Sequence, residues 1–171
     1  HADIGVVAAK GDVSYDPVSR LYTVTGSGWD IWGTADAFHF LYKEIHGDFS
    51  LEAKLDGVNQ GTSNWVKITL MARDTLEANA RHFAARVQES SFQASSQWRT
   101  EPDGDAGSTA SNLRINLNRQ DGRLRLERTS ARFSTYYWNT NAKQWTLLDS
   151  QTVGMDDPIY VGLAVTSHDD G

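Results

Sequence analysis

The chain has 171 residues, enough for one domain of ordinary size, with 39% hydrophobic residues, 6 Trp, 6 Tyr, 6 Phe and no Cys. Sixteen Lys and Arg against 22 Asp and Glu leave a net charge of -6, which argues against nonspecific binding to nucleic acid or to an anionic membrane surface, and the lack of Cys excludes thiol catalysis, disulfides and thiolate metal sites. No apolar run approaches the about 20 residues of a membrane-spanning helix, the first residues show no charged-then-apolar signal pattern, and the abrupt start at His1 reads as that of a processed or trimmed product.

Period-two alternation, the pattern of strands that bury one face, dominates the chain. Strands are predicted at Tyr22 to Thr25 and Ala37 to Ile45, and again at Ser50 to Asp56, where Leu51, Ala53 and Leu55 point one way and Glu52, Lys54 and Asp56 the other. From Trp65 to Arg73, Val66, Ile68, Leu70 and Ala72 form a core face; Trp65, Lys67, Thr69, Met71 and Arg73 form a second face, predicted to be wet or functional. The next segment, Thr75 to Ala80, reads as one helical turn or as a hairpin loop. Further strands follow at Arg81 to Gln88, Phe92 to Arg99, Arg123 to Arg128, Arg132 to Trp138, Gln144 to Thr152 and Ile159 to Thr166. Turn signals such as Gly26-Ser27-Gly28, His46-Gly47-Asp48, Gln60-Gly61-Thr62 and Asp121-Gly122 separate them. Thr100 to Asn112, rich in Gly, Ser, Thr and Asp, is the one long loop. Many short strands with almost no helix predict an all-β, antiparallel two-sheet β-sandwich spanning residues 1–171 as one domain.

Several runs carry a family resemblance. Gly11-Asp12-Val13-Ser14-Tyr15, Tyr22 to Gly28 and Asp30-Ile31-Trp32-Gly33-Thr34-Ala35-Asp36-Ala37-Phe38-His39-Phe40 are followed by Gly47-Asp48, Met71-Ala72-Arg73-Asp74, Arg81-His82, Tyr136 to Trp145 and Tyr160 to His168. In this order they resemble the DUF1349-like branch of the concanavalin A-like (laminin G-type) lectin and glucanase superfamily, domains common in multidomain secreted bacterial proteins. The resemblance implies a concanavalin A-like jelly roll, and a fold that hosts lectins, carbohydrate-binding modules, adhesion domains and some glycoside hydrolases. The family pattern runs past Ser167-His168-Asp169-Asp170-Gly171 into a final strand, so the domain is expected to lack its last strand or to receive it from another chain.

Sugar rings stack their C–H faces on indoles, and their hydroxyls need planar polar partners, so an exposed Trp beside Arg, Lys or His is the pattern to seek. Trp65, Lys67 and Arg73 on one strand face, His82 and Arg86 from its neighbour, and Trp98 at the edge of the long loop form the expected carbohydrate-binding face. Core packing of the Trp residues and cross-strand salt bridges for Arg73 and Arg86 are the competing readings. Trp29 and Trp32, beside Asp30, Asp36 and His39, read as a rigid corner. Structural calcium is frequent in the resembled superfamily, which singles out Asp30 and Asp36 as metal ligands; Asp103 and Asp105 read as a solvated acidic loop.

Paired-carboxylate hydrolysis finds little: Glu52 and Asp56 share a strand face with Cα atoms about 13 Å apart, beyond the about 5–5.5 Å of the retaining geometry. A copper site built on His1 would need His39, His46, His82 or His168 as partner, and the spacing selects none. The expected function is therefore a noncatalytic, lectin-like module of a larger secreted protein, extracellular or at the cell surface. Its expected partners are a polysaccharide or glycan and neighbouring domains or another protomer. The alternatives are an assembly subunit completed by a foreign strand and, third, a glycan-active enzyme.

Overall fold

The computed structural model describes residues 1–57, 63–88, 93–109 and 122–169. The alternating segments become strands β1 (Ala2–Ile4), β2 (Asp12–Asp16), β3 (Leu21–Thr25), β4 (Ile31–Trp32), β5 (Ala35–Asp36), β6 (Phe38–Ile45), β7 (Phe49–Lys54) and β8 (Lys67–Arg73). They continue with β9 (His82–Gln88), β10 (Gln93–Arg99), β11 (Gly107–Ser108), β12 (Arg123–Thr129), β13 (Arg132–Asn139), β14 (Gln144–Thr152) and β15 (Ile159–Thr166). No helix occurs among the described residues, and Thr75 to Ala80 forms the loop of the β8–β9 hairpin. The predicted turn at Gln60-Gly61-Thr62, the strand start at Phe92, Asp121, Asp170, Gly171 and the far end of the long loop lie outside the described residues.

Two antiparallel sheets make a β-sandwich. The larger has the order β1-β6-β15-β8-β9-β10-β11, the smaller β14-β13-β12-β7, and β2-β3 and β4-β5 are separate two-stranded ribbons. Leu70 and Ala72 of β8, Phe83, Ala85 and Val87 of β9 and Val161 of β15 meet Leu124, Leu126 and Phe133 of the smaller sheet in the main core. Of the core face predicted for β8, Leu70 and Ala72 enter this core, whereas Ile68 is half-buried and Val66 precedes the strand.

The opposite face of the larger sheet departs from the prediction. Met71, Ala84 and Ala164 pack there with Phe38, Phe40, Ile4 and Ile31 in a second core. Lys67, Thr69 and Arg73 are buried on that face as well. The cover comes from distant segments: the Lys67 and Gln97 side chains donate to Ile31 O, which lays the β4–β5 ribbon over the sheet, while Asp36 N–H donates to Ala78 O at 2.8 Å and Ala106 N–H to Gly33 O at 2.9 Å, which ties the ribbon to the neighbouring loops. Simple alternation distinguishes the two faces of a strand; it does not tell which face a later loop will cover.

Candidate functional site

Two glycines shape the region between β3 and β6. Gly28 has φ 117, and a Cβ there would stand 2.1 Å from Ala37 O, so no other residue fits. Gly28 O accepts from Thr166 Oγ1 at 2.7 Å, and Gly28 bridges to Asp169, which fixes residues 28–30 beside the end of β15. Gly33, at φ 58, opens the two-residue connection of the β4–β5 ribbon.

This scaffold gathers three indoles at one rim. Trp29, Trp32 and Trp65 are 62%, 43% and 55% exposed, large values for the largest apolar side chain. His168 lies between two of them, with ring centroids 5.2 Å from Trp29 and 6.1 Å from Trp65. His168 also reaches Asp30 Oδ2 at 3.3 Å, Lys67 Nζ donates to Asp30 Oδ1 at 2.5 Å, and Lys67 stands 5.4 Å from the centre of the Trp32 ring. Burial lowers the Lys67 pKa, and the adjoining Asp30 opposes that shift. A knot of three polar side chains, Asp30, Lys67 and His168, thus sits among three exposed indoles.

Next to the knot the sheet offers a polar floor. Pairing aligns Thr69, Arg86 and Ser95 as direct neighbours across β8, β9 and β10, with Lys67 and Gln88 one step along the same face. Thr69 Oγ1, Arg86 Nε, Ser95 Oγ and Gln97 Oε1 are buried and have no hydrogen-bond partner among the described residues. Unsatisfied buried groups are costly and few in folded proteins, and the two ring nitrogens of His82, further along the same face, add to these four.

The expected binding residues divide accordingly. Trp65, Lys67 and Arg86 come together here, although Trp65 occupies the turn before β8 rather than the strand. Trp98 does not join them: it points to the main core, 6.4 Å from the Phe83 ring, and faces Gly107, where a Cβ would crowd its indole. Arg73 and His82 are fully buried in a separate cluster with Asp36 and Arg99, so they present no open sheet face. Arg99 grips both Asp36 oxygens at 2.9 and 2.7 Å, Arg73 reaches one of them at 3.4 Å, and His82 Nδ1 stands 3.5 Å from the same oxygen. Arg99 also donates to the carbonyls of Gly33, Gly104 and Ala80. That cluster is a clamp on the covering loops.

Asp30 and Asp36, expected as calcium ligands, each face cations of the chain instead of further oxygen donors, a setting that does not fit calcium. Among the described residues no group of three or more His, Cys, Asp or Glu is placed to hold a metal. Glu52 and Asp56 are ion-paired with Arg125 and Lys54 respectively. The sequence reading missed Trp29, Trp32 and His168 as rim residues. The available signal was their grouping with Asp30 in one motif; their exposure depended on how that corner folds.

No protein-family model matches the chain, and no curated protein does. Among solved structures the chain is similar to a functionally unknown protein from Saccharomyces cerevisiae, with a TM-score of 0.69 at 17% identity over 97% of this chain and 91% of that one. At that identity the likeness establishes a shared β-sandwich fold.

Proposed function

We propose that this domain is a noncatalytic carbohydrate-binding module that acts outside the cell as part of a larger secreted protein. The observation that carries the reading is the rim of Trp29, Trp32 and Trp65 beside a sheet face on which Thr69 Oγ1, Ser95 Oγ, Gln97 Oε1 and Arg86 Nε lack hydrogen-bond partners among the described residues. Indoles take the C–H faces of pyranose rings, and the partly exposed Asp30 and His168 side chains between them offer polar partners for hydroxyls. Such a mixture suits a sugar better than a purely apolar ligand, which would desolvate those polar groups without compensation. Polysaccharides are met mainly outside the cell, hence the proposed location.

A glycan array followed by calorimetry on the best ligand tests the reading. Trp65→Ala and Trp29→Ala are each expected to weaken binding about tenfold, the loss of one stacked ring, while Trp98→Ala keeps the wild-type affinity in the folded fraction. Failure of the wild-type protein to bind any glycan would sink the proposal. Full affinity in a Trp29→Ala, Trp65→Ala double variant would sink this site.

A further inference from the structure

The floor of the site holds two cations, Lys67 and Arg86, whose charges both feel the one carboxylate of Asp30. Lys67 is matched by Asp30, and the second oxygen of Asp30 faces His168. Arg86 has no carboxylate within ion-pair distance among the described residues; its hydrogen bond runs from Nη1 to the neutral Gln88 Oε1 at 3.2 Å. Its Nε is buried and unpartnered, with the unpartnered hydroxyls of Thr69 and Ser95 in register on either side. A half-buried guanidinium that makes no direct ion pair among the described residues is unusual, because burial strengthens each of its electrostatic interactions.

Guanidinium geometry answers a planar anion. A guanidinium can present two parallel N–H bonds that a carboxylate accepts together, whereas a sugar hydroxyl takes only one. Flanking hydroxyls suit the ring oxygens and hydroxyls beside such a carboxylate. The overall charge of -6 does not oppose this, since surface charges beyond about 8 Å are largely screened at physiological salt.

We infer that the site selects an acidic sugar, a uronate whose carboxylate is received by Arg86 while a pyranose face rests on the indole rim. This inference rests on the carbohydrate-binding reading and specifies its ligand class.

The test is calorimetry of the full chain with oligosaccharides of galacturonate, glucuronate and mannuronate, each beside its methyl ester and its carboxyl-reduced neutral form. At least one free acid is expected to bind about tenfold or more tightly than its own ester, as a charge-assisted bond requires, and to weaken with added salt. Arg86→Gln is expected to erase that difference and Arg86→Lys to keep part of it. The acid-to-ester ratio in the wild-type protein needs no variant, so a misfolded Arg86 substitution does not obscure the answer. Equal binding of acid and ester, or an acid preference that survives in folded Arg86→Gln, overturns the inference. Binding of neutral glycans without any uronate preference overturns it while the carbohydrate-binding reading stands; absence of all glycan binding overturns both.

Discussion

His82 is an imidazole enclosed by Arg73, Arg99 and Asp36. Loss of hydration is the main force that pushes its pKa down to about 4; Asp36 pulls the other way, and the two guanidiniums add repulsion. The unfolded ring titrates near 6.5, so the folded state, which keeps the ring neutral, is fully favoured above that pH. Between pH 6.5 and 4 the unfolded chain binds a proton that the folded chain refuses, and stability should fall by up to roughly 3 kcal/mol across this window. Urea unfolding at a series of pH values checks this. His82→Gln should flatten the slope between pH 6.5 and 5 whatever its baseline cost, and an unchanged slope would show that another group is responsible. Residue types alone suggested a sugar contact for His82 and Arg73. A buried ion cluster and an open binding face use the same amino acids, and only burial separates them.

The β4–β5 ribbon, two residues in each strand, is too short to stand alone. Its attachment is ionic: Asp36 receives Arg99 in a two-pronged contact, and Arg99 ties Gly33, Ala80 and Gly104 to the same point. Asp36→Ala would leave two guanidiniums buried beside one another without their carboxylate and should cost about 3–5 kcal/mol. A thermal melt gives the cost, and hydrogen exchange should show the amides of residues 28–37 losing protection first, because the clamp holds that segment to the sheet. Near-wild-type stability would contradict the role given to Asp36. The longer elements were legible: the strand read at Ala37 to Ile45 is observed as Phe38–Ile45, and that at Gln144 to Thr152 as Gln144–Thr152. The ribbon and β1, β2 and β11 were not read as strands. Each is short, and in β2 only Val13 of five residues escapes full exposure, so there is no apolar alternation to detect.

Across the whole molecule, the six Trp residues serve different layers. Trp98 lies between the sheets, Trp138 and Trp145 pair edge-on across β13 and β14 with Arg123 and Arg125 against them, and Trp29, Trp32 and Trp65 rim the proposed site. Trp98→Ala should therefore destabilise the domain by about 3 kcal/mol through the cavity it leaves, whereas Trp65→Ala should stay within about 0.5 kcal/mol, a contrast read directly from denaturant midpoints. A reversal of that order would mean that the core and rim assignments are exchanged. The sequence by itself determined the class of fold, the positions of the long strands and the inward face of β8, because period-two burial is written locally in side-chain alternation. It also supplied Trp65, Lys67 and Arg86 as binding candidates. Tertiary structure alone decided that Arg73 and His82 are enclosed with Asp36 and that Trp29 and Trp32 look outward. The reason is that the second face of the larger sheet is covered by segments distant in the chain, and the burial of a side chain depends on what crosses above it, which no local pattern encodes.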